Sequence, residues 1–255
     1  MNNALKTLFL TVFALLTASV LSANAQTAAT PPTNHWQTAA TVGLTIARGN
    51  ADTTLFALSV ATERKITNDD LKLGADIIYG TSKIQGQGSS QETADSDRGF
   101  VQDNHSFTYR SYGYLRLEAL HDGIADIQYR INIGPGMGYY LIKNKTLDLS
   151  IEGGPGFIKE KLDDYNEDYA TLRAAEALHY QISAHAKLWE TVEVLPQAND
   201  LDNYIVNAEI GVEAALNKSN KLALRSVLDD SFDNEPAAGR LKNDLKLITG
   251  ITYKF

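Results

Sequence analysis

Along residues 242–255 apolar and polar positions alternate almost without a break. Leu245, Leu247, Thr249, Ile251, Tyr253 and Phe255 share one face, and Lys242, Asp244, Lys246, Ile248, Gly250, Thr252 and Lys254 share the other. Side chains of an extended chain point to opposite sides with a period of two, so the segment predicts a β-strand with an apolar wall and a charged wall; a helix would mix them. About ten tilted residues cross a bilayer as a strand. Lipid offers the backbone no hydrogen-bond partner, so only a closed sheet satisfies every strand. Repeated along the chain, the pattern predicts a transmembrane β-barrel.

The same periodicity places strands at Trp36 to Ala47, Thr53 to Arg64, Leu71 to Thr81, Asp103 to Tyr109, Tyr112 to Leu120 and Asp126 to Leu141. Further strands follow at Thr146 to Lys159, Thr171 to Tyr180, Ala186 to Leu195, Tyr204 to Leu216, Lys221 to Asp229 and Lys242 to Phe255. The predicted fold is therefore all-β, an antiparallel up-and-down barrel of about twelve strands with both termini periplasmic. Alternate connections should then be short periplasmic turns and longer external loops. The long loops fall at residues 84–102, 160–170, 196–203 and 230–241, of which the first reads as a solvated polar stretch. In the strand from Asp126, Gly134, Gly136 and Gly138 leave the inner wall bare, while Pro135 cannot donate to a ladder and predicts a bulge or break. Tyr79, Tyr109, Tyr112, Tyr114, Tyr139, Tyr140, Tyr253, Phe255 and Trp36 fall toward strand ends, as aromatic girdles would. Glu176, and either Glu190 or Glu193, land on the apolar side and are misfits.

The first residues set the compartment. Met1 to Lys6 carries one positive charge, Thr7 to Leu21 is apolar, and Ala23-Asn24-Ala25 is a small-x-small cleavage site. This is the pattern of a secretory signal peptide over residues 1–25, cleaved after Ala25. Its apolar run, about 15 residues, is short for a spanning helix. Residues 26–35 contain Pro31-Pro32 and read as a flexible lead-in, leaving residues 36–255 for the barrel. The formal net charge of −8 argues against a nucleic-acid partner. Cysteine is absent, so no disulfide holds the fold.

Polar residues that alternate with the apolar wall should line the lumen, the charges Lys72, Asp76, Arg130, Asp148, Glu152, Arg173, Glu209, Glu213, Arg225, Asp244 and Lys246 together with the neutral Asn207. Opposite signs at similar heights should pair, because an unpaired buried charge costs several kcal/mol. Such pairs either hold a barrel round or bias which small solutes pass. No cofactor or metal is expected. His105-Ser106 and Ser183-Ala184-His185 bring a hydroxyl near an imidazole. Neighbouring strand residues face apart, however, and no nucleophile elbow accompanies them. Glu176 and His179 likewise diverge on a strand. The acidic external loops lack the spacing of a calcium loop.

Three stretches, Gly43 to Thr53, Asp126-Ile127-Gln128-Tyr129-Arg130 leading to Gly134-x-Gly136-x-Gly138-Tyr139, and the terminal Tyr253-Lys254-Phe255, resemble a family of uncharacterised bacterial proteins often labelled salt-induced outer membrane proteins. The resemblance spans Trp36 to Phe255. It implies an outer-membrane barrel and brings no catalytic residues; Pro135 departs from the pattern. It also implies that Phe255 is the recognition signal for the barrel-assembly machinery. The leading expectation is an outer-membrane pore or envelope structural protein in contact with outer-membrane lipid, linked to osmotic or salt stress. A lipid-modifying enzyme and a soluble periplasmic ligand-binding barrel are the alternatives, and oligomeric state is left open.

Overall fold

A computed structural model describes residues 35–47, 51–84, 89–163 and 165–255. The expected signal peptide with its cleavage site at Ala25, and most of the expected lead-in, lie outside the described residues. Twelve antiparallel strands follow one another: β1 (Gln37–Ala47), β2 (Ala51–Ile66), β3 (Asp69–Ile84), β4 (Gln91–Ser106), β5 (Ser111–Asp122), β6 (Ile127–Lys143), β7 (Leu147–Leu162), β8 (Tyr165–Ser183), β9 (Ala186–Gln197), β10 (Asp200–Ala215), β11 (Leu222–Asp233) and β12 (Asn243–Lys254). Each pairs with its neighbours in sequence, and β1 pairs with β12 to close the barrel. Closure removes every sheet edge, which a hydrocarbon environment demands.

The closing seam is short. Its register runs from Ala39 opposite Lys254 to Gly43 opposite Gly250. A Cβ on Gly250 would sit 2.6 Å from the Val42 carbonyl oxygen, so the backbones meet where no side chain fits. One step along the inner wall, the Thr41 and Thr252 hydroxyls share a buried hydrogen bond of 2.8 Å. The start of β1 and the end of β12 lie at this end of the barrel, here the terminal rim; the other end is the far rim.

Alternation holds on the outer wall. Val42, Leu44, Ile77, Leu115, Leu117, Ile133, Leu247 and Ile251 are exposed, a band of hydrocarbon facing outward. Trp36, Tyr79, Tyr109, Tyr139, Tyr253 and Phe255 are exposed with them. Tyr112 and Tyr114 are instead buried, and Tyr140 follows them inward: they project into the barrel, not into a girdle. Ile127, expected outside, is also buried, because the β6–β7 register slips between Ile127 and Tyr129.

The expected contrast between short and long connections is replaced by a contrast along the strands themselves. Residues 91–102, expected as loop, belong to β4, which starts at Gln91 and ends at Ser106 instead of running from Asp103 to Tyr109. β7 extends to Leu162 and β8 begins at Tyr165, so the expected loop at 160–170 is mostly ladder. β9 and β10 likewise consume most of 196–203. At the far rim the sheet continues as polar ribbon, with Asp97 and Lys159 on its outer side by alternation. The turns between the strands are set by side chains that accept backbone N–H groups: Asn144 Oδ1 from Thr146 and Leu147, Asn217 Oδ1 from Lys221 and Leu222, and Asp122 Oδ1 from Ile124 and Ala125.

Pro135 does mark a break, and it has a counterpart. The β6–β7 ladder pairs Ile133 with Phe157 and Met137 with Gly153, and carries no pairs between. The register sets Gly134-Pro135-Gly136 against Gly154-Pro155-Gly156, two prolines opposed with glycines on either side. A Cβ on Gly134 would lie 2.5 Å from the Pro155 carbonyl oxygen. On the same inner wall the rings of Tyr114 and Tyr112 pack against Gly136 and Gly138, where a Cβ would collide with them.

Candidate functional site

Every expected lumenal charge lies on the inner side of the alternation. Asp76, Arg130, Asn207, Glu209, Arg225, Asp244 and Lys246 line one internal cavity. Glu152 and Arg173 pair beside it at 2.6 Å. Lys72 pairs with Asp70 at 3.6 Å, Asp148 accepts the backbone N–H of Asn144, and Glu213 pairs with Lys187 and Lys254 near the terminal rim. The misfits divide. Glu193 turns inward onto Arg173, whereas Glu176 and Glu190 face outward on adjacent strands, through an unbroken register.

Several contacts cross the lumen. Arg98 on β4 approaches Glu209 on β10, half the ring away, at 4.0 Å, and pairs with Asp76 on β3 at 3.1 Å. Arg130 on β6 binds Glu160 on β7 and reaches Asp233 on β11 at 2.7 Å. Lys246 on β12 reaches Asp122 on β5 at 3.0 Å. Closer to the terminal rim a hydrogen-bonded chain runs around and across the interior. Arg116 donates to Gln102, Gln102 to Glu152, Arg173 to Glu152 and Glu193, Asn207 to Glu193, and Ser231 to Asn207. Tyr112 donates to Glu152 at 2.8 Å, and Tyr169 to Glu160 at 2.9 Å. Trp189 is a further member: its indole N–H donates to Glu209 while the Arg225 guanidinium lies 4.7 Å over its ring.

Sequence reasoning missed Arg98, Arg116, Glu118, Asp122, Glu160, Glu193, Asp229 and Asp233. Arg116 and Glu118 were findable, since they alternate with Leu115, Leu117 and Ala119. Arg98 was hidden by reading β4 as loop.

The far rim is roofed from inside the chain. The β11–β12 connection, residues 234–242, crosses the mouth as a strap: Ala237 is buried against Ile127 and Leu162, on β6 and β7 across the ring. Arg240 pairs with Asp126, and Asn234 donates to the Asp202 carbonyl at 2.6 Å. That hydrogen bond from Arg240 holds the Asp126 carboxyl below its ordinary pKa. Below Leu120, Ala125 and Ile127, on which Ala237 packs and which line its upper wall, lies a cavity of ≈ 140 Å³, many times the roughly 10–15 Å³ one water needs on that measure.

The two hydroxyl–imidazole pairs do not engage. The His105 ring bonds Asp69 at 2.6 Å and the His185 ring bonds Asn220 at 2.9 Å.

The family described as "Protein of unknown function, DUF481" matches residues 40–255. The chain belongs to this family. No curated protein matches it. Among solved structures, the NanC porin is 9% identical over 85% of this chain and 100% of its own, with a TM-score of 0.52. The translocator domain of autotransporter NalP from Neisseria meningitidis is 15% identical over 99% and 97%, at 0.47. The KdgM porin is 8% identical over 87% and 99%, at 0.44. At these identities the likeness speaks for fold alone, and the NanC match places this DUF481 chain in the barrel fold of porins.

Proposed function

We propose that this DUF481 protein is an integral outer-membrane barrel that serves as a narrow pore for small polar solutes or ions. The observation that carries this reading is the pair of opposed walls, hydrocarbon outside and interlocked charges inside. In this reading the terminal rim faces the periplasm, the N-terminal segment is a cleaved export signal ending at Ala25, and Phe255 guides assembly. Phe255 is exposed, and its backbone N–H donates to the Thr38 carbonyl at 2.9 Å. A soluble barrel for an apolar ligand fits less well, since its outer wall would expose Val42, Leu44, Leu247 and Ile251 to water. The expected osmotic or salt response stays with this reading as a matter of expression.

Planar-bilayer recording of the refolded protein tests the pore: discrete conductance steps support it, and a folded barrel that stays silent refutes it. The second reading, a sealed structural barrel, is favoured by the Arg98–Glu209 and Arg130–Asp233 contacts across the lumen. In that case only variants that break those contacts conduct.

A further inference from the structure

The cavity under the strap carries an unbalanced charge at one corner. Two cations face it: Lys246, taken up by Asp122 across the lumen, and Arg98, taken up by Asp76. Asp229 stands opposite Lys246 in the β11–β12 register, and Asp244 precedes it by one inner-wall position. Both line the cavity. Among the described residues neither carboxylate has a lysine, arginine or histidine nitrogen within 4.0 Å. Val227 and Ile248 line the same wall beside them. Two carboxylates with acceptor capacity to spare, next to hydrocarbon in a partly open cavity, match an ammonium group on a short apolar body. A hard divalent cation fits worse, because it needs six or more converging oxygens, and among the described residues no cluster of three or more candidate metal ligands occurs.

The roof over this space is lightly held. Its foot is a single methyl group, Ala237, and its latch, Arg240 to Asp126, is open to solvent. We propose that the cavity is a binding site for a small organic cation, loaded from the far rim when the strap lifts. The proposal goes beyond the pore reading and does not depend on it: a site that fills and empties from one side needs no through-passage.

The test is calorimetric titration of the refolded barrel in detergent micelles with butylammonium, against butyrate and butanol of the same length. Saturable binding of butylammonium alone is the expected result. Asp229→Asn with Asp244→Asn should weaken it by about tenfold or more, while heat-dependent gel mobility confirms that the variant still folds. Absence of saturable binding, unaltered binding in the double variant, or equal competition by potassium would each overturn the proposal. The strap is tested in the otherwise cysteine-free chain with Ala237→Cys and Leu162→Cys. The oxidised pair should slow butylammonium entry at least tenfold, and reduction should restore it; equal rates in both states, or failure of the pair to cross-link, would overturn the route. Conductance is recorded separately. Binding by a silent barrel refutes the pore alone, and a conducting barrel that ignores butylammonium refutes this site alone.

Discussion

Arg173 shows what one inner-wall residue holds in place. Its guanidinium bridges Glu152 and Glu193, all three nearly buried. Arg173→Met would leave two carboxylates facing one another, and removing one partner from a buried pair costs roughly 3–5 kcal/mol. The urea midpoint in detergent should fall accordingly, and adding Glu193→Gln should recover part of the loss; an unchanged midpoint contradicts this. At the strap, the hydrogen bond from Arg240 depresses the Asp126 pKa, with Asp163 the other carboxylate acting on that arginine. A depressed carboxyl lends its stabilisation above its unfolded pKa and loses it as pH falls through the folded value. A spin label at residue 237 should therefore become more mobile in acid, below the ordinary carboxylate range. Arg240→Gln should remove that dependence, whereas motion independent of pH in the unaltered latch would refute it. The sequence offered the acid and the base but not their meeting, since 114 positions separate them.

At the scale of strands, most of the architecture was legible because two walls of unlike chemistry were written with period two. β6 and β12 announce themselves this way. β4 did not, for a physical reason: Asp95, Asp97, Asp103 and His105 occupy its outer side, and Val101 is its only large apolar outer residue. Where a ribbon rises above the hydrocarbon, its outward side chains have no cause to be apolar, and periodicity falls silent. Pro135 was legible as a break, but the opposing Pro155 gains its meaning only from register. Close backbone approach gives a sharp test. Gly250→Ala would press its methyl on the Val42 carbonyl at the β1–β12 seam, while Gly99→Ala meets nothing nearer than the Gly74 carbonyl oxygen at 3.8 Å. The first should cost about 1–3 kcal/mol and reduce the heat-modifiable fraction, and the second should leave it unchanged. Equal behaviour of the two would show that the seam tolerates bulk.

For the molecule as a whole, the sheet closes on itself and the inner wall ties far-apart strands together, from β4 to β10, β5 to β12 and β6 to β11. Strand number and shear set the diameter of the barrel, and these cross-braces occupy part of the lumen inside it. Their existence was foreseeable from mixed charge; their pairing was not, because it depends on which strands stand opposite one another after closure. Neutralising both ends of one brace, Arg98→Gln with Glu209→Gln, should raise bilayer conductance if the lumen is a passage, and a conductance no larger than that of the unaltered protein would place the constriction elsewhere.

The chain holds only two tryptophans, and the barrel sets them in opposite worlds. Trp36 is 45% exposed on the outside, whereas Trp189 is 8% exposed within, clasped by Glu209 and Arg225. The unmodified protein thus carries two natural fluorophores. Brominated acyl chains should darken the first and spare the second, so that arrival in the bilayer and assembly of the interior can be timed as separate optical events.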